Sequence, residues 1–93
     1  MKKLNLELGH LVKDYRSKKG LTQLELSEKL GYDTPQFVSI IERGLAKVPL
    51  NVLGQLIVLL GIPERKVTKL LTVAYQNEVQ KEIESGKTKV VNS

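Results

Sequence analysis

Few side chains in this sequence could do covalent chemistry, and their types narrow what chemistry is open. There is no cysteine among the 93 residues, and His10 is the single histidine. Thiolate zinc sites, iron–sulfur clusters, disulfide scaffolds, cysteine nucleophiles and paired-histidine metal sites are excluded together. No HExxH, GxSxG or P-loop pattern occurs, so neither catalytic residues nor a metal or cofactor site is expected. What remains is hydrogen bonding and charge. The informative stretch runs from Leu21 to Gly44, LTQLELSEKLGYDTPQFVSIIERG. The chain carries a net charge of +5, which biases it toward polyanionic partners. Aromatics are only 4% and tryptophan is absent, which argues against a stacking platform for single strands.

These residues must be positioned by helices. The length suits one small domain, and alternating β-branched runs are absent, so an all-α fold of five helices is expected. Gly20, Gly31, Gly44, Gly61 and Gly86 each follow an apolar-periodic segment, where helix ends place glycine. Helix one is expected over about 6–19, with Leu8, Leu11, Val12 and Tyr15 as its stripe. Helix two starts at Thr22, with Glu25 completing a capping box, turns Leu26 and Leu30 inward and ends at Gly31. Helix three is expected to use Thr34 as N-cap and Pro35 as first residue, to bury Val38 and Ile41, and to close at Arg43-Gly44. Helix four begins near Pro49 and carries Leu50, Leu53, Leu56, Ile57 and Leu60 inward, with Gly54 an interior weak point. Helix five is expected from Pro63 to Ser85. Its first half offers Val67, Leu70, Leu71 and Ala74 to the core. Tyr75, Val79 and Ile83 rotate off that face toward a second surface. The division expected is one unit over 1–62, a dimerising or partner-binding helix over 63–85 and a flexible basic tail over 86–93.

Two short helices meeting at a tight glycine turn have the spacing of a helix-turn-helix. In that unit the second helix lays its N-terminal residues against base edges in the major groove. Here the sequence resembles the phage Cro/repressor-type proteins, the xenobiotic-response-element family of regulators. The resemblance rests on Leu8-Gly9, Val12, Arg16, Leu21-Thr22-Gln23, Leu26, Leu30-Gly31, Val38, Ser39, Ile41-Glu42-Arg43-Gly44, Pro49 and Leu60-Gly61. It covers about residues 6 to 62. It implies sequence-specific binding of double-stranded DNA by a small transcriptional regulator. Gln23 would hold a phosphate or the first base pair. Thr34, Pro35, Gln36, Ser39 and Ile40 would face the groove, Gln36 suited to adenine and Ile40 to a thymine methyl. Arg43 and Lys47 would approach phosphates. The resemblance also implies a structural ion pair between Arg16 and Glu42. The stretch from Gly31 to Glu42 is one residue longer than in the simplest phage repressors, which Tyr32 and Asp33 absorb, and Ser27 stands where alanine is usual.

Charge complicates this picture. Residues 1–20 carry a net +4, whereas residues 21–44 carry a net −2. Few phosphate contacts imply weak binding by a monomer, so a homodimer on a palindromic operator is expected. Tyr75, Val79 and Ile83 are the candidate dimer or partner surface. A short domain without a ligand-binding module acts most simply as a repressor. The alternative is a protein-interaction module or antitoxin on the same fold, binding a toxin or other partner through the C-terminal helix or the acidic face. No targeting segment is visible, and the longest apolar run, Leu56–Leu60, cannot span a bilayer, so a cytoplasmic, non-membrane protein is expected.

Overall fold

A computed structural model describes residues 1–92. It is all-helical, with α1 (Lys2–Lys18), α2 (Gln23–Lys29), α3 (Gln36–Glu42), α4 (Leu50–Leu60) and α5 (Glu64–Val91). One core joins them. Leu8 and Val12 of α1, Leu26 of α2, Val38 and Ile41 of α3, Leu53, Leu56 and Leu60 of α4, and Val67 of α5 are all buried. The helical stripes place them on inward faces.

α1 starts about one turn earlier than expected, because Leu4 stands four residues before Leu8 and is buried with it. α2 carries the expected capping box. Thr22 Oγ1 accepts from the Glu25 backbone N–H at 3.0 Å, and Glu25 Oε1 accepts from the Thr22 N–H at 2.8 Å. α2 ends at Gly31, whose φ of +95° is left-handed. There the Tyr32 N–H donates to Ser27 O and the Gly31 N–H to Glu28 O, each at 3.0 Å. This paired closure satisfies end carbonyls and turns the chain toward α3. α3 starts one residue later than expected. Pro35 takes the capping position, already in right-handed helical conformation, and Thr34 caps nothing. Leu50, expected inward, is 62% exposed, since Pro49 opens α4 at the rim of the core.

The largest difference lies at the C-terminus. The helix expected to stop at Ser85, before a tail over 86–93, runs through Gly86 to Val91. Glycine inside a helix costs about 1 kcal/mol against alanine but does not forbid it. Glu84 brackets the site, accepting from Lys87 Nζ at 3.2 Å and, through its carbonyl, from Thr88 Oγ1 at 3.0 Å. Ser93 of the expected tail lies outside the described residues. The long helix stretches the molecule to 55 Å, with a radius of gyration of 16.3 Å. A compact chain of this length has about 12 Å.

Ser27 is fully buried in α2, and its Oγ has no hydrogen-bond partner among the described residues. An unsatisfied buried hydroxyl costs roughly 1–3 kcal/mol. Ser27→Ala is therefore expected to stabilise the fold by about 1 kcal/mol. Thermal unfolding followed by circular dichroism checks this, and an unchanged or lower Tm counts against it.

Candidate nucleic-acid interface

The site is built around Glu42, the last residue of α3. Its side chain is only 3% exposed. Arg16 Nε donates to Oε2 at 2.6 Å and Arg16 Nη2 to Oε1 at 3.0 Å, a two-pronged pairing that suits guanidinium and carboxylate. Arg16 Nη1 also donates to the Leu21 carbonyl at 2.8 Å, holding the α1–α2 turn. The hydrogen bond to Glu42 raises the Arg16 pKa above its usual value, outweighing the opposing effect of burial.

Gln23, the first residue of α2, completes the network. Its Nε2 donates to Glu42 Oε1 at 3.0 Å. One carboxylate thus binds α1, the start of α2 and the end of α3. Gly9, two turns before Arg16 on α1, permits the approach. A Cβ there would stand 2.8 Å from the Glu42 carbonyl oxygen and closer still to that of Ile41. α1 and the end of α3 therefore touch backbone to backbone.

On this frame the sequence-derived residues fall into two groups. Thr34, Pro35, Gln36, Arg43 and Lys47 are exposed, while Gln23, Ser39 and Ile40 are half-buried. Gln36 opens α3 with its side chain in solvent. Arg43 folds back along its own helix, its Nε donating to the Ser39 carbonyl at 3.4 Å, and its guanidinium stays exposed. Gln23 is not freely solvated: one of the two hydrogens on Nε2 is committed to Glu42, leaving the other for an external acceptor.

Sequence reasoning missed one feature of this surface. Tyr32, in the turn, stacks on Phe37 of α3, with centroids 4.2 Å apart and planes 17° from parallel. The stack braces the turn against the helix and leaves Phe37 half-buried. No local signal marks two aromatics five residues apart across a turn as partners. Among the described residues no three His, Asp or Glu side chains gather as a metal site, and no helix is long and apolar enough to cross a membrane.

A two-helix unit at residues 23–42, braced by a third helix, is what a helix-turn-helix requires, and a family model for the helix-turn-helix domain matches residues 7–70. The chain belongs to the helix-turn-helix domain family. No curated protein and no solved structure is a significant match to it. A helix-turn-helix domain is a DNA-binding fold of regulators, which accounts for the exposed start of α3. In this domain the start of α2 and the end of α3 are set by Glu42 and its partners.

Two outcomes are expected. Arg16→Ala leaves the buried Glu42 carboxylate without its charge partner and should cost roughly 3–5 kcal/mol in urea unfolding; a loss under 1 kcal/mol contradicts this role. The second concerns Glu25, whose pKa lies below the usual carboxylate range, first through the Thr22 backbone hydrogen bond and then through the Thr22 hydroxyl. A depressed folded-state pKa gives stability that is full above the unfolded value of about 4.3 and disappears as pH falls through the folded value. The Tm gap between wild type and Glu25→Gln should therefore narrow from pH 6 to pH 3. A gap that stays constant removes the charged cap from the account.

Proposed function

We propose that this protein is a sequence-specific, double-stranded DNA-binding regulator of the phage Cro/repressor kind, acting as a repressor by occupying a palindromic operator as a homodimer. The observation that carries this reading is the contrast between the two sides of α3. The side facing α1 and α2 is locked by Glu42, Val38 and Ile41, whereas its start is open, with Thr34, Pro35 and Gln36 exposed. A rigid helix with a solvent-facing amide at its first residue suits major-groove readout.

In this reading Gln36 pairs two-fold with an adenine edge, while Ile40 and Ser39 sit one turn further in, Ile40 against a thymine methyl. Arg43 and Lys47, exposed beyond the end of α3, approach phosphates, and Gln23 offers its remaining amide hydrogen to another. So few phosphate contacts per copy leave a monomer weak. Two copies double them across a two-fold site, which supports the dimer.

The test is selection from a randomised duplex library, followed by fluorescence anisotropy across a salt series. A two-fold symmetric site should emerge. Gln36→Ala should lose about 5- to 150-fold of the discrimination between that site and a scrambled duplex. Lys47→Ala should weaken both duplexes alike and lower the log–log salt slope by about 0.9. No enriched site, with equal weak binding to all duplexes, overturns sequence-specific recognition. It transfers the open α3 surface to a protein partner.

A further inference from the structure

Lys47 lies in the connection between α3 and α4, and that connection has little of its own to hold it. Leu45, Ala46 and Lys47 are exposed. Among the described residues no hydrogen bond involves Ala46, Lys47 or Val48. A loop left free in this way pays the entropy of ordering when it binds. A binding loop works best when a rigid scaffold orders it beforehand.

Here packing against two other helices takes the place of hydrogen bonds. At the start of the loop, Gly44 lies on α1: a Cβ there would stand 2.7 Å from Leu6 Cδ2 and 2.9 Å from Leu6 Cα. Near its end, Val48 is buried. Between these two points, Lys47 and Val48 share a crevice with Leu4 of α1 and with Leu71 and Tyr75 of α5. The free volume of that crevice is about 20 Å³, room for roughly one water, so its walls lie close together.

α5 reaches the loop because it runs antiparallel to α1. Lys66 Nζ donates to Tyr15 Oη at 2.9 Å near the end of α1, and Tyr75 meets Met1 and Leu4 at its start. Leu71 and Tyr75 are one turn apart on α5, which brings both to the same crevice. Their burial differs. Leu71 is half-buried against the core, whereas Tyr75 is 41% exposed at the rim. Tyr75 therefore contributes little to the core, yet it is the largest side chain on the crevice. Its hydroxyl makes no hydrogen bond among the described residues, so the ring is what acts there. Both residues lie past residue 70, where the match to the helix-turn-helix family ends.

We propose that Tyr75 is a positioning residue for the α3–α4 loop, its ring holding the loop so that the Lys47 ammonium is placed for a DNA phosphate. This deepens the reading of Lys47 given above and rests on that reading for its use at DNA.

The test has one arm without DNA and one with it. In the free protein, backbone ¹⁵N order parameters of Ala46, Lys47 and Val48 should be about 0.85 in wild type and fall toward about 0.6 in Tyr75→Ala. Tyr75→Phe keeps the ring and should keep the wild-type values. Val79→Ala, one turn further along α5 and off the crevice, should also keep them. Far-UV circular dichroism should show every variant folded. In fluorescence anisotropy, Tyr75→Ala should weaken selected and scrambled duplexes alike and lower the log–log salt slope by about 0.9. In a Lys47→Ala background it should add nothing, because the two changes remove the same contact. Order parameters that stay high in Tyr75→Ala, an equal loss in Val79→Ala, or effects of Tyr75→Ala and Lys47→Ala that add on DNA overturn the proposal. The reading beneath it is tested separately. If Lys47→Ala leaves the salt slope unchanged, Lys47 is no phosphate contact, and the order parameters still decide whether Tyr75 holds the loop.

Discussion

The buried carboxylate of Glu42 is the constraint on which the rest of the structure depends. A charge that is 3% exposed must be compensated, and here the compensation comes from two other helices. Arg16 supplies the charge and a planar fork, and Gln23 supplies one further donor. Because each donor sits at a fixed place on its helix, satisfying one carboxylate sets the relative placement of α1, the start of α2 and the end of α3. Gly9 is the steric counterpart, since only a residue without a side chain lets α1 close on the carbonyls of Ile41 and Glu42. Rigidity of this kind is what a helix presenting base-reading side chains needs.

The same network changes how the charge distribution reads. Residues 21–44 are net acidic as a tally. Yet Glu42 is buried and neutralised by Arg16 from α1, although Glu25 keeps its charge at the exposed α2 cap. The outward face of the two-helix unit is therefore less acidic than the tally implies. Part of the positive excess of residues 1–20 is likewise spent inside. Near the far end of α1, Lys18 and Lys66 both lie over the ring of half-buried Tyr15, at 4.8 and 5.3 Å, so a further part of the basic charge brackets the α1–α5 packing.

α5 joins two environments in one helix. Its first half completes the core through Val67, with Leu70, Leu71 and Ala74 packed against it. Its second half outruns α1. The change falls where the apolar positions rotate: Val67, Leu70, Leu71 and Ala74 share one face, and Tyr75, Val79 and Ile83 step away from it. One helix is thereby packed against the core in its first half and exposed in its second.

What the sequence determined by itself is what local signals encode. The capping box at Thr22 and Glu25, the glycine closure at Gly31 and the stripe from Leu8 to Val12 act within a turn or two, so five helices and most of the core were legible. The Arg16–Glu42 pair was legible through resemblance to the phage repressors, not from spacing. Tertiary structure alone decided where Gln23 points, that Tyr32 stacks on Phe37, that the Ser27 hydroxyl is stranded and that Leu50 lies at the rim. Each depends on packing between segments that a helical period does not describe. Gly86 shows the same limit in reverse. It is a stop signal by composition, but a glycine ends a helix only where the chain has a reason to turn, and α5 had none.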